Sequence, residues 1–297
     1  MNTRIPVFYN EAQVHDACAY SKSPLKPSLL NRKLIHDPLM HRISAVHPLR
    51  AEQMEMVHDA DYIRDLMNGD VADGFGNYST KDFRAIRTAA ANFVFSAKLA
   101  VAMGEPVWSL TSGFHHACHD HAEGFCTIDA LSLAAKMVWV DDGVRSLIID
   151  GDAHFGNGTV ENIEMNQMDY CRYLQSKHDH VYTGQPFDNA AYRRELEAVL
   201  AQHNPGLIMY QAGADAWVGD PLGGCLTMSE LYQRDITVFS VAKQAGIPVV
   251  VNLAGGYAGD YEHTLQIHMN TGEALKEVYL GRGCATIPVD VVQQEEA

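Results

Sequence analysis

The chain has 297 residues, with 22 Lys and Arg against 37 Asp and Glu, a formal charge of −15. That balance argues against a general nucleic-acid binder, which carries a basic patch. A composition 47% hydrophobic and 20% charged belongs to a globular chain long enough to bury a large core, and excludes disorder over most of its length. No apolar run approaches the roughly 18 to 20 residues that span a bilayer, stretches such as residues 247–251 being interrupted, so a membrane protein is not expected. The first nine residues have one basic side chain and too short an apolar stretch for a secretory signal, which makes a cytoplasmic location the expectation. Cys18, Cys118, Cys126, Cys171, Cys225 and Cys284 make no C-x-x-C pair. They indicate neither a disulfide framework nor a zinc finger and read as small buried apolar residues. The acidic charge suits a cationic substrate or partner, although solubility alone is the simpler account.

Residues 1 to about 79 show weak periodicity and are expected to pack around the sheet edge and over the site, with the Gly- and Asp-rich stretch 70–80 as a surface loop. Phe83, Ile86, Ala90, Phe93 and Ala97 then fall at helical spacing, and Val107-Trp108-Ser109-Leu110 reads as a buried strand. A helix over about 129–139 leads to a strand at 146–149. Tyr192, Leu196, Val199 and Leu200 mark a helix before a strand at 207–210. Thr227-x-x-Glu230 is a capping box opening a helix to about Ala245, followed by a strand at 247–253. Residues 293–297 read as a frayed tail. Strands alternating with helices imply an α/β fold: a mainly parallel multi-stranded sheet with helices on both faces. With no repeat or linker to divide it, the chain is expected to form a single domain over residues 1–297.

Parallel sheets bind ligands beyond the carboxyl ends of their strands. Each of the four strands runs into a segment rich in Gly and ionisable or hydroxyl groups: Gly113-Phe114-His115-His116, Asp150-Gly151-Asp152-Ala153-His154, Gly213-Ala214-Asp215 and Gly255-Gly256-Tyr257. Asp152 and His154 alternate on one side of an extended chain and can converge on one point. A bare D-x-H is common by chance, but Asp215 after the next strand offers a third ligand. Two carboxylates and an imidazole suit Zn²⁺ or Fe²⁺ with a position left open, as in a catalytic site. His115 and His116 offer a general base and a second proton carrier or electrostatic group, and Asp150 and Asn157 are available to fix their tautomers. Tyr257 can donate to an oxyanion, so the set fits hydrolysis of an amide. Each residue has a plainer reading: Gly-Gly-Tyr as a turn, Asp215 as a helix N-cap, and His36, His41, His47, His58, His119 and His121 as solvent-facing loop residues. The occurrence of all four segments at four strand ends favours the site.

In order and spacing, Val57-His58-Asp59-Ala60-Asp61-Tyr62, Gly113-Phe114-His115-His116-Ala117, Gly124-Phe125-Cys126, Ile149 to Gly158, Ala212-Gly213-Ala214-Asp215, Gly219 to Gly224 and Gly255-Gly256-Tyr257 carry a resemblance. Over residues 45 to 260 the chain resembles the zinc-dependent histone deacetylase superfamily, which includes bacterial acetylpolyamine amidohydrolases and acetoin-utilisation proteins. The resemblance implies an arginase/deacetylase-like fold and a zinc-dependent amidohydrolase that removes an acetyl or longer acyl group from an amine. It implies zinc ligation by Asp152, His154 and Asp215, His116 as general base, His115 as its electrostatic partner and Tyr257 as oxyanion donor. It further implies that Asp150 orients His115, that Asn157 orients His116, and that Gly124 and Phe125 line the substrate channel. The wording looks closest to the class IV branch and its bacterial relatives, several of which form dimers or tetramers. The implied substrate is an acyl-lysine, an acylpolyamine or a small N-acyl metabolite.

Three departures bear on what carries over. Phe155 stands where many relatives have a second His or a Gln, which affects packing more than ligation. Asn252-Leu253-Ala254 replaces extra glycines before Gly255, which stiffens the loop presenting Tyr257. The connection from Asn157 to Tyr210 is short and lacks an evident counterpart of the strand that in relatives carries a second channel aromatic and part of a potassium site. Potassium is therefore doubtful, and Tyr170 or Tyr182 is a candidate for the channel wall. Two other readings compete. An arginase- or agmatinase-like ureohydrolase needs two manganese ions, but Gly156 occupies the place of its second Asp and Ala216-Trp217 follow Asp215 where another ligand would sit. A catalytically silent acyl-binding protein has no need of the two histidines and the phenol.

Overall fold

Seven strands, all paired in parallel, form one sheet among the described residues of the computed structural model, which are 4–15, 21–44, 47–176 and 187–282. Cys18, Tyr182, Cys284 and the expected tail lie outside them. The strands are β1 (Ile5–Phe8), β2 (Met40–Ile43), β3 (Val107–Ser112), β4 (Ser146–Asp150), β5 (Cys171–Gln175), β6 (Leu207–Gly213) and β7 (Val249–Ala254), in the spatial order β2-β1-β3-β7-β6-β4-β5. The four strands expected from apolar runs are β3, β4, β6 and β7, and they are the contiguous centre of the sheet. Parallel pairing puts their carboxyl ends on one edge, so four segments far apart in sequence become neighbours.

Helices cover both faces, and successive strand residues feed two cores. Val107, Ile148, Met209 and Val250 face α3 (Ala60–Asn68), α4 (Thr80–Met103) and α5 (Ala130–Asp142). Trp108, Leu147, Ile208 and Val251 face α1 (Lys26–Lys33), α7 (Asn189–His203), α8 (Met228–Ala245) and α9 (Tyr261–Leu280). Burial on both faces explains why these strands read as continuous apolar runs rather than alternating ones. The α8 capping box forms as expected: Thr227 Oγ1 accepts from Glu230 N at 3.2 Å, and Glu230 Oε2 accepts from Thr227 N at 2.8 Å. The described residues also form α2 (Ala51–Met54) and α6 (Asn157–Met165). Contrary to the expectation from apolar runs, α4 holds a window long and apolar enough to cross a bilayer by length and composition. Half of that window is buried, where the helix packs on β3 and α5.

Three strands carried no signal that the sequence reading used. β1 contains Pro6, which lacks a donor, yet it lies inside the sheet. Ile5 N and Tyr9 N donate toward β2, to Leu39 O and Ile43 O, so the missing Pro6 donor faces β3, where pairing begins only at Val7. β2 and β5 are polar edge strands. β5 also corrects the view that the connection after Asn157 lacks a strand, since it pairs with β4 along its whole length. The stretch 70–80 is more than a surface loop: Asp73 is buried, Gly74 packs against the Cys126 backbone, and Phe75 turns inward to the site.

Candidate functional site

Asp152 and His154 follow β4 and Asp215 follows β6, and the adjacency of those strands brings the three together. His154 Nδ1 lies 3.1 Å from Asp152 Oδ1 and 2.9 Å from Asp215 Oδ2, and one donor atom from each residue falls within 4.8 Å of the others. His154 Nε2 lies 3.2 Å from Leu222 O, to which its proton is donated, leaving Nδ1 to face the carboxylates. Both carboxylates are buried. Burial and the neighbouring Asp152 charge push Asp215 up to about 6. Burial would also raise Asp152, but His115 and the hydrogen bonds from His154 and Asp215 outweigh it and hold this carboxyl low. Hydrogen bonds to Asp152 and Asp215 raise His154 to about 10, so the point between the carboxylates draws positive charge. Two buried oxygen donors and an imidazole nitrogen converging there fit a divalent cation.

The two adjacent histidines after β3 are held differently. His115 is buried, with Nδ1 2.8 Å from Asp150 Oδ2 and Nε2 3.8 Å from Asp152 Oδ1. Burial alone would lower it, but Asp150 and Asp152 outweigh burial and raise it to about 9. His116 is half-buried, and burial and then the His115 charge lower it, so the pair splits into a charged and a neutral ring. Asn157 Oδ1 lies 2.6 Å from His116 Nδ1 and can only accept, which puts the proton on Nδ1 and leaves Nε2 free to take another.

Beneath the site a polar network ties the strand ends together. Gln211 Nε2 reaches Asp150 Oδ2 at 3.4 Å, Asn252 Nδ2 donates to Gln211 Oε1 at 3.4 Å and to Gly113 O at 3.2 Å, and Tyr173 OH donates to Asp150 Oδ2 at 2.8 Å. Asn252, met in the sequence as a departure, thus links β7 to the segment bearing His115. Gln175 Nε2 donates to Asp152 O at 2.9 Å and to Asp150 O at 3.5 Å. A side-chain amide thus satisfies both carbonyls. Gly156 stands against the Tyr173 hydroxyl, which a Cβ there would meet at 2.5 Å, so the place of the ureohydrolase's second carboxylate is filled by a phenol.

Tyr257 closes the site from β7. Its N–H donates to Asp220 Oδ2 at 2.6 Å, and burial together with the Asp152 and Asp215 charges pushes its phenol well up, keeping it protonated. Gly255, at φ +47°, admits no side chain, because a Cβ would lie 2.2 Å from Asp215 Oδ1. Lys26, which the sequence reading passed over, is buried and donates from Nζ to Gly255 O. Burial lowers it to about 8, against the pull of Asp215, Asp152 and Asp220. Phe125 faces Tyr257 at 5.8 Å between ring centroids, and Phe75, also missed, faces Phe125 at 5.8 Å. Phe125 has a left-handed backbone (φ +63°), rare for a residue with a side chain and a mark of sites where geometry is imposed. The cavity they line with Gly124, His115 and Asp152 holds about 50 Å³.

The remaining sequence assignments divide. His36, His41, His47 and His121 are exposed. His58 is not: at 2% exposure its Nδ1 donates to Cys118 O at 2.9 Å and its Nε2 accepts from Asp129 N at 2.9 Å. His119 is half-buried against Val57 O at 2.8 Å. Both correct the solvent-facing reading, because a bridging role between loops leaves no periodic trace. Tyr170 stacks on Trp139 at 4.8 Å, away from the channel, so it is not the missing wall. Phe155 is 57% exposed and packs edge-on to Tyr173. Of the described cysteines, Cys118, Cys126 and Cys171 are buried and Cys225 is intermediate, and no two of them are joined in a disulfide.

The chain matches the histone deacetylase domain family over residues 21–183 and 179–271. It is 27% identical to an uncharacterised protein of Picosynechococcus, over 92% of this chain and 99% of that protein. Identity to histone deacetylase 2 of Arabidopsis thaliana is 30%, over 75% of this chain and 66% of the relative. Identity to histone deacetylase 6 of Caenorhabditis elegans is 27%, over 57% of this chain and 20% of the relative. The chain therefore spans slightly under two thirds of the first of these deacetylases and a fifth of the second. The crystal structure of the HDA15 HD domain shares the fold, with a TM-score of 0.74 at 22% identity over 94% of this chain and 90% of that one.

Proposed function

We propose, from the premise that the chain belongs to the histone deacetylase domain family, that it is a zinc-dependent amidohydrolase removing a short acyl group from an amine. The observation that carries the reading is the convergence of Asp152, His154 and Asp215 beside a charged His115, a neutral His116 and a protonated Tyr257. Asp152, His154 and Asp215 would hold the ion, which when bound polarises the amide carbonyl and acidifies water. Zinc suits this donor set, as does ferrous iron.

His116 accepts the proton of the attacking water at Nε2, the nitrogen that Asn157 leaves free, and returns it to the departing amine nitrogen. His115, held charged by Asp150, offsets the negative charge that develops beside it and keeps His116 from taking its proton too early. The Tyr257 hydroxyl donates to the carbonyl oxygen as it becomes an oxyanion. Phe125, Phe75 and Gly124 form the walls of the channel for the acylated chain, and the small cavity favours acetyl over long acyl groups. The acidic chain favours a cationic amine product. Affinity to the class IV branch, read from the Asp150 to His154 and Asp220 to Gly224 wording, belongs to the same proposal.

The test is hydrolysis by the zinc-loaded protein of acetyl-lysine peptides, acetylpolyamines, longer acyl-lysines and small N-acyl amines, read by mass spectrometry. Acetyl amides turn over, and Tyr257→Phe keeps the metal while lowering kcat by roughly 10² to 10³, the scale of a lost oxyanion donor. Unchanged turnover in Tyr257→Phe removes the phenol from the mechanism. No turnover of any amide at one metal ion per chain overturns the reading in favour of a silent binding protein.

A further inference from the structure

We propose that Cys118, His121 and Glu123 form a second divalent-cation site, selective for Zn²⁺ and inhibitory, on the loop between β3 and α5 and joined to His116 through Asn157. One ligand atom from each of the three residues lies within 4.8 Å of the others. The loop is folded to make this so: Cys118 N donates to His121 O at 3.0 Å, bringing the first two side chains together across a tight turn. Asp120 Oδ1 lies 2.7 Å from His121 Nδ1 and orients the ring, as carboxylates orient ligating imidazoles elsewhere. Glu161 accepts from His119 N at 3.1 Å and adds a further negative charge to the pocket.

The donors differ in kind from those at the strand ends. A sulfur, a ring nitrogen and one carboxylate favour zinc over magnesium or calcium, and three protein ligands leave a position for water. Burial and the nearby carboxylates of Glu161 and Glu123 push the Cys118 thiol up to about 12, so it keeps its proton until a cation displaces it. Binding therefore releases a proton, and zinc is held more tightly as pH rises.

Two of the three ligands are also partners of the residue that sets the His116 tautomer. Asn157 Nδ2 donates to Glu123 Oε2 at 2.8 Å and approaches Cys118 Sγ at 3.6 Å, while its Oδ1 holds His116 Nδ1 at 2.6 Å. A cation that draws Glu123 and Cys118 to itself takes both acceptors from the Asn157 amide and loosens its hold on His116. The binding half of the proposal stands on the loop geometry; the inhibitory half rests on His116 acting as the base.

The test uses the protein already carrying one zinc per chain. Added Co²⁺ gives a thiolate-to-cobalt charge-transfer absorption in the near-ultraviolet, which the sulfur-free Asp152, His154 and Asp215 set cannot produce. Added Zn²⁺ removes the band, appears as a second equivalent by elemental analysis, and lowers turnover roughly tenfold, the scale of a lost orienting partner. His121→Ala retains basal turnover and loses the second equivalent, the band and the inhibition; Cys118→Ser loses the band. A stoichiometry that stays at one, or a band that persists in Cys118→Ser, overturns the site. A second equivalent with undiminished turnover overturns the coupling to His116. Absence of any turnover speaks against the amidohydrolase reading, and the band and the stoichiometry still decide the site.

Discussion

At the scale of single residues, the site depends on what two glycines leave out. Gly124 sits at φ +52° against the His116 ring, and a Cβ there would come within 2.4 Å of its Cδ2. The nearest atoms are an imidazole that is itself fixed by Asn157, so the ring cannot yield without breaking that bond. Gly124→Ala is expected to displace His116 and to lower kcat by roughly 10², while metal content stays at one ion per chain. Full activity in that variant would show that His116 has freedom to move. Gly255 plays the same part beside Asp215. That each glycine is a steric complement to a particular side chain, Gly124 to the His116 ring and Gly255 to the Asp215 carboxylate, is visible only when the folded segments are seen to touch.

At the scale of elements, His58 shows how a loop is fastened to a helix. It joins the start of α5, through Asp129 N, to the carbonyl of Cys118, and this pairing needs a neutral ring with its proton on Nδ1. Burial lowers it from 6.5 to about 4. Because the folded value lies below the unfolded one, the neutral bridge contributes its full stability above pH 6.5 and loses it as pH falls toward 4. The loss is on the order of 3 kcal/mol. Asp129, raised to about 6 by burial, acts with the opposite sign over part of this window. The comparison with His58→Gln, which keeps Asp129, isolates the histidine. Urea unfolding at pH ~7.5 and ~5 is expected to show the wild type losing more stability than His58→Gln, and parallel losses would refute the assignment. The elements themselves were unevenly legible. β3, β4, β6 and β7 could be read because burial on both faces makes them continuous apolar runs, and α8 because its capping box is local chemistry. β1 was hidden by Pro6, and β2 and β5 by polar residues such as His41, Arg42 and Arg172 that an edge strand tolerates. The channel aromatic Phe75 and the buried Lys26 lay in segments with no periodicity, and only tertiary contact gives them meaning.

At the scale of the whole molecule, the candidate metal site lies where the central strands meet, so its occupancy would bear on global stability. Asp152 and Asp215 are buried carboxylates facing one another across His154, and a cation between them relieves a repulsion that the folded chain otherwise carries. Zinc is expected to stabilise the fold by about 4 kcal/mol when its free concentration stands a thousandfold above Kd. Thermal unfolding with and without a chelator checks this. In Asp215→Ala the gain disappears, and an undiminished gain would mean that the ion sits elsewhere. The strand order has a further consequence, which concerns synthesis. β3 and β4 follow one another in the chain but are separated in the sheet by β7 and β6, both made later. While the chain emerges from a ribosome, the segments bearing His115 and Asp152 follow strands that have only their outer neighbours, β1 and β5, to pair with, and a gap two strands wide stands between them until residue 254 has been added. The edge that bears the candidate site closes only with the last strand of the described residues, so incomplete chains lack the assembled site and the edges of β3 and β4 that face the gap stay unpaired for most of translation.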